Sequence, residues 1–245
     1  MSSKYWRGFT IIELSLFMAI TGLLVATLLT GWTVSVNTQG YRDSVRSFAV
    51  MLQSQYTAAV QTTNGREANL TCNSSATVVA ATPGTPRGQS DCVIMGRYVS
   101  IDGNKMTTNS IIGKPDASPL PPLGSDPSDL DYIKNYGPNK LDSATVSDET
   151  QNIPWSASTY LAGDPASNSA KLTIVIIRAP TTGAVYTYIK NGSAATVGDT
   201  ISSGSPSTTV CIDKGGSIAS ETLGVKIDAN AASQNAVHVV TGGDC

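Results

Sequence analysis

Arg7 to Tyr41 reads RGFTIIELSLFMAITGLLVATLLTGWTVSVNTQGY, and its charges decide the fold. Between Glu13 and Arg42 lie 28 consecutive residues without Asp, Glu, Lys or Arg. Leu14 to Leu29 is almost wholly apolar, interrupted only by Ser15, Thr21, Gly22 and Thr27. About 20 such residues as a helix span the hydrocarbon of a bilayer. Trp32 stands at the far end, where interfacial aromatics collect, and Lys4 and Arg7 hold the near end in the cytoplasm. A secretory signal peptide is the competing reading, and TGWTVSVN contains the small residues that its cleavage would need.

Glu13 is discordant. A carboxylate inside an apolar helix costs about 2.5–3.5 kcal/mol on insertion scales and persists where it has a partner or a task. The string Arg7-Gly8-Phe9-Thr10-Ile11-Ile12-Glu13-Leu14 resembles the prepilin signature of type IV pilins and of the pseudopilins of type II secretion. The resemblance implies a leader, residues 1–8, cut by a prepilin peptidase between Gly8 and Phe9, with N-methylation of Phe9. It makes Glu13 the fifth residue of the mature chain and an assembly residue, paired with the Phe9 amine of a neighbouring subunit. Loss of the leader removes Lys4 and Arg7, leaving 14 basic and 18 acidic residues in a mature chain of 237. The signature covers only about residues 1–40.

Helical periodicity continues beyond the apolar run. Within Tyr41–Thr62, Val45, Phe48, Ala49, Leu52, Tyr56, Ala59 and Val60 recur at spacings of three, four and seven, one stripe of an amphipathic helix. Asn64-Gly65 supplies a stop. The expectation is one helix over residues 9–62, about 81 Å long at about 1.5 Å per residue. Its membrane segment covers about 9–32, its second half packs under a head, and Gly22, Gly31 and Gly40 are points of weakness.

The head, residues 63–245, switches to period two and β-branched residues. Strands are expected at Ala76–Thr82, Val93–Ile101, Leu172–Ala179, Ala184–Lys190, Thr208–Asp213, Leu223–Asp228 and Ala236–Thr241. Residues 113–170 carry eight prolines and read as a long irregular excursion with one short helix. The fold class is α+β: a long N-terminal helix packed on an antiparallel β-sheet head, the pilin-like arrangement.

Cys72, Cys92, Cys211 and Cys245 form no CxxC pair, which disfavours zinc, and an even count in an exported domain favours two disulfides. Three pairings are possible, and sequence proximity favours Cys72–Cys92 and Cys211–Cys245. A C-terminal bridge of the second type resembles the terminal loop of many pilins.

Catalytic chemistry has little to draw on. A single His leaves little for metal binding or acid–base work, and no phosphate loop or nucleophile elbow occurs. Charged residues make up 14%, well below the usual quarter, while 29 Ser and 28 Thr solvate the chain, as on exposed extracellular surfaces. A net charge of −2 does not support DNA binding through a basic face. Asp126, Asp129 and Asp131 cluster, but without the Gly and Glu of a calcium loop, so a solvated acidic turn is the simpler reading. His238 alternates with Val237 and Val239 as a strand residue. Asn69, Asn73 and Asn191 begin N-x-S/T triplets.

No catalytic, cofactor or metal residue is therefore assigned. The sequence favours a type IV pilus subunit, major or minor, the large head tilting toward minor. Such a subunit begins as a single-pass membrane precursor with its head outside and ends in a cell-surface filament. Its partners are other pilin subunits, the prepilin peptidase, the pilus assembly machinery and, before assembly, the membrane. A type II secretion pseudopilin, a non-polymerising anchored adhesive domain and an anchored hydrolase are the alternatives.

Overall fold

Residues 10–61, 70–73, 78–80, 92–115, 128–141, 149–163, 169–192, 195–214, 221–242 and 245 are described by a computed structural model. Helix α1 spans Ile11–Val60, 50 residues or about 75 Å, and passes through Gly22, Gly31 and Gly40 without a break. Thr10 caps it, and the Gln61 N–H closes the last turn on the Thr57 carbonyl at 2.8 Å. The helix ends at Val60, two residues earlier than its periodicity suggests. Val60 itself points to solvent rather than along the stripe.

The head strands are β1 (Leu70–Cys72), β2 (Val78–Ala80), β3 (Val93–Asp102), β4 (Lys105–Gly113), β5 (Asn139–Lys140), β6 (Glu149–Asn152), β7 (Thr159–Leu161), β8 (Lys171–Arg178), β9 (Val185–Asn191), β10 (Thr208–Ile212), β11 (Leu223–Ile227) and β12 (Val237–Thr241). Two short helices, α2 (Asp129–Asn135) and α3 (Val197–Ser202), accompany them. All pairings are antiparallel. The larger sheet runs β5-β4-β3-β8-β9, with β6 also on β4, and the second runs β12-β11-β10-β7. β1 and β2 pair with each other, register Leu70 to Ala80.

These sheets and helices form layers. Tyr41, Val45, Phe48, Leu52 and Tyr56 of α1 bury against Val99, Ile101, Leu172, Ile174 and Ile176 of the larger sheet, and against Val210, Ile212, Val225 and Val237 of the smaller. The opposite face of the larger sheet carries Met95, Tyr98, Val175, Ile177 and Tyr188, covered by Ile133 of α2 and by Val197 and Ile201 of α3. Each fully buried aliphatic or aromatic side chain contributes about 1.5–3 kcal/mol of transfer free energy. β8 faces both cores, so Leu172 to Ile177 are all buried. A near-continuous apolar run, broken only by Thr173, is the pattern of a central strand.

The architecture is the expected α+β class, a long apolar N-terminal helix packed on antiparallel sheets. The described parts of 113–170 carry more regular structure than expected. They hold α2 and supply β5 and β6 to β4, and β7 to β10. Such strands need only two to four ladder partners on an existing edge, and their prolines stay outside them: Pro138 precedes β5 and Pro154 follows β6. β4 went unanticipated, since MTTNS places polar residues in buried slots. The strand expected at Ala76–Thr82 is seen as Val78–Ala80, and the rest of it lies outside the described residues, as do Asn64 and Gly65.

Candidate functional site

Among the described residues no cleft of the head gathers reactive groups; α1 itself carries the unusual chemistry. At its start, the Thr10 hydroxyl accepts from the Glu13 N–H at 3.3 Å, while Thr10 N–H and Oγ1 both donate to Glu13 Oε2 at 3.0 Å. This reciprocal capping box satisfies backbone donors that begin every helix. Glu13 therefore has a local task, absent from the sequence reading. Gly8 and Phe9 lie outside the described residues.

From Ile11 to Gln39 no side chain is buried. Leu14, Leu16, Phe17, Leu23, Leu24, Leu28 and Leu29 are each more than half exposed. The mean hydropathy of the most apolar window is 2.2, and the helix is long and apolar enough to cross a membrane. Its hydroxyls turn inward on the helix: Ser15 donates to Ile12 O at 2.9 Å, Thr21 to Phe17 O at 2.8 Å, Thr27 to Leu24 O at 2.9 Å and Thr33 to Thr30 O at 2.9 Å. Such back-bonding lets polar side chains sit in hydrocarbon, where no water would satisfy them.

The helix enters the head at Gly40. A Cβ there would stand 2.8 Å from Cδ2 of Trp155 and 3.0 Å from Cε3, so only glycine lets that ring lie flat on the helix. This gives Gly40 a packing role instead of the weakness its sequence position implied. Gly22 and Gly31 have nothing within 4 Å of such a Cβ. One residue on, the Tyr41 hydroxyl accepts from Leu223 N–H at 2.6 Å and lies 3.3 Å from Ile212 O, bridging β10 and β11.

Further along, polar side chains fix the helix's rotation. Gln53 Nε2 donates to Val237 O at 2.8 Å, and the Thr187 hydroxyl donates to Tyr56 Oη at 3.1 Å. Burial pushes the Tyr56 hydroxyl's pKa up, so it stays neutral. Arg97 reaches from β3 to donate to Gln55 Oε1 at 3.1 Å, Ser110 Oγ at 3.2 Å and Thr108 Oγ1 at 3.2 Å, and it meets Glu149 at 3.4 Å. A mostly buried guanidinium is tolerated only with such partners.

Cys211 and Cys245 are bonded, with Cα atoms 5.7 Å apart. The bridge crosses Gly224, where a Cβ would come within 2.5 Å of Cys245 Sγ. Cys92 is also disulfide-bonded, and no described cysteine is free. The Cys72 side chain lies outside the described residues, so the expected Cys72–Cys92 pairing does too.

The acidic cluster is divided by its uses. Asp131 completes a capping box with Ser128 at the start of α2. Asp129 accepts from Thr182 Oγ1 at 2.6 Å, Tyr186 Oη at 2.8 Å and Thr181 Oγ1 at 3.3 Å, tying α2 to the β8–β9 turn. Those hydroxyls, Thr182 first, hold its carboxyl below the ordinary range. Asp126 and the triplet at Asn69 lie outside the described residues. Among the described residues no three metal-binding side chains converge. His238 Nδ1 on the outer strand β12 lies 3.7 Å from Asp228, just past the end of β11, and both are half exposed.

The sequence reading missed Trp155 and the Gln55–Arg97 contact. The first could have been found as an isolated large aromatic in a polar, proline-rich stretch; the second had no local signal. The chain matches no family model, no curated protein and no solved structure.

Proposed function

We propose that this chain is a pilin-like structural subunit of a type IV pilus, made as a membrane precursor and assembled through α1. One observation carries the reading: a single helix whose second half is built into the head and whose first half is apolar, bare and unpartnered over more than seven turns. Bare apolar surface of that length needs lipid or other apolar helices around it. Both surroundings serve a subunit that is stored in a membrane and then packed into a fibre.

Glu13 supplies direction. Cleavage before Phe9 would place a new ammonium one residue before the Thr10–Glu13 box. A carboxylate has about four acceptor sites, so the bonds from Thr10 leave room for a neighbour's amine. Within an apolar bundle, removing one member of such a pair costs about 3–5 kcal/mol. Head size favours a minor subunit, because so long an insertion as residues 113–170 would crowd a filament of stacked copies.

The test compares membrane and sheared-filament fractions for wild type, Glu13→Val and Glu13→Gln. Gln can occupy the same capping position without charge, so it separates helix capping from ion pairing. Both variants should be processed at Gly8–Phe9, remain in the membrane and be depleted from filaments. Normal incorporation of Glu13→Gln would reduce Glu13 to a cap. A mature N-terminus other than Phe9 by intact mass would remove the pilin reading altogether.

A further inference from the structure

Trp155 is out of place by every ordinary measure. It is 62% exposed, and with φ 62° it and Ser156, φ 53°, form two successive left-handed residues without glycine. Each such residue costs on the order of 1 kcal/mol and persists where its surroundings over-determine it. Here the flanks do so: Ile153 is buried and its N–H donates to Asn104 O at 2.8 Å, and Ala157 N–H closes the turn on Pro154 O at 3.4 Å. The result is a knuckle that lays one face of the indole on Gly40 and leaves the remainder open on the underside of the head. It rims an open cleft of about 340 Å³ with Asn37, Tyr41, Ser158 and Lys214.

The length of the charge-free helix says what lies there. Trp32 is 19 residues beyond Glu13, about 28 Å along the axis and close to the far edge of a hydrocarbon core about 30 Å thick. Gly40 is 27 residues beyond Glu13, about 41 Å along the axis and about 38 Å along the bilayer normal at a tilt of about 20°, which brings it to the outer boundary of the far headgroup layer, about 5–8 Å beyond the core. Charges resume at once, with Arg42, Asp43 and Arg46. The indole on Gly40 thus sits at headgroup depth, the level that Trp prefers for its apolar ring and polar N–H.

We propose that the underside of the head is a lipid-contact surface, with Trp155 seated in the outer headgroup layer of the bilayer. Trp32 and Trp155 then anchor one rigid element at two depths, which fixes the tilt and rotation of the head over the membrane. The inference rests on the membrane-spanning reading of α1 and not on polymerisation.

The chain has three tryptophans, Trp6, Trp32 and Trp155. Full-length protein carrying Trp6→Phe and Trp32→Phe keeps the knuckle intact and leaves Trp155 as the only indole. In phosphatidylcholine–phosphatidylglycerol vesicles at dilute protein, its emission should move to the blue and be quenched by a nitroxide on the lipid headgroup. It should also lose most of its quenching by iodide relative to protein in detergent. A companion chain with Trp6→Phe and Trp155→Phe reports Trp32, which brominated acyl chains should quench. Quenching of Trp32 with a fully iodide-accessible Trp155 overturns this inference alone; an unquenched Trp32 removes the spanning helix and this inference together. Shielding of Trp155 that appears only as copies per vesicle increase assigns the surface to a second copy and equally overturns it.

Discussion

The two halves of α1 share a backbone and almost nothing else. Residues 11–39 include no buried residue, whereas the turns from Gly40 to Ala59 include ten. Both halves are rich in apolar residues, so amount of hydrophobicity does not separate them; its arrangement does. Apolar residues on every side suit a uniform apolar solvent, and a stripe at three- and four-residue spacing suits one packed face. Helix identity is thus inherited from one end to the other, while the environment changes at a single residue, Gly40.

The widest gap between the halves should appear in head stability. Phe48→Ala empties a fully buried site shared by both sheets and should cost about 3–5 kcal/mol, read by urea unfolding of the chain in mild detergent. Leu24→Ala in the same assay should stay within about 0.5 kcal/mol of wild type. A comparable loss at Leu24 would mean that the bare half packs on the head after all.

Next comes the C-terminal bridge, which braces the β10–β11 hairpin on which Tyr41 docks. The 34-residue separation of Cys211 and Cys245 predicts about 4 kcal/mol from chain entropy. Cys245→Ser should lower the melting temperature accordingly, provided that Cys245→Ala melts at the same point. Unequal values would locate the effect in the serine itself.

Glycine offers a sharper contrast at smaller amplitude. Gly22→Ala meets open space and should raise helix stability by about 1 kcal/mol, seen as slower amide exchange around it. Gly40→Ala should gain nothing, because the methyl displaces Trp155, and the indole emission should shift. Identical responses at the two sites would dissolve the idea of a built junction.

The smallest effect is electrostatic and confined to the head. Folding acidifies Asp129, so its stabilising contribution is complete above the unfolded value near 3.8 and fades as pH falls through the lower, folded value. Amide protection in α2 and in the β8–β9 turn should weaken over that acidic window, while protection along α1 stays level. Asp129→Asn should flatten this dependence in the β8–β9 turn and leave in α2 the part that Asp131 supplies through its capping box.

Much of this was legible in the sequence because the decisive signals are local. Leu172–Ala179 shows itself as a strand through its β-branched residues. Thr10-x-x-Glu13, Ser128-x-x-Asp131 and Thr196-x-x-Asp199 carry an equally local capping pattern that the sequence reading missed. β4 stayed hidden for a different reason. Thr108 and Asn109 are buried polar residues, and the Thr108 hydroxyl is satisfied by Arg97 and Glu149, far away in sequence. Where partners come from elsewhere in the chain, hydrophobic periodicity has nothing to display. β6 and β7 belong to the same class, since three or four residues acquire strand geometry only from the edge that receives them. At the site, Glu13 was legible by its discord; the Trp155 knuckle depends on a backbone conformation that no residue pattern announces.

The way α1 is fastened also sets how the molecule carries load. Tyr41, Gln53, Gln55 and Tyr56 attach the helix sideways over about 22 Å of its length, from near its entry to close to its end. Tension along the helix axis therefore meets these attachments in shear, all at once, instead of peeling them one by one. The C-terminal disulfide ties the chain end across Gly224 of β11 to Cys211 of β10, beside the strands that hold Tyr41. A pull from the bare end is shared between inner strands, through Tyr41 and Gln55, and edge strands, through Gln53 and Tyr56, and the head behaves as a bolt whose shank runs through its own core.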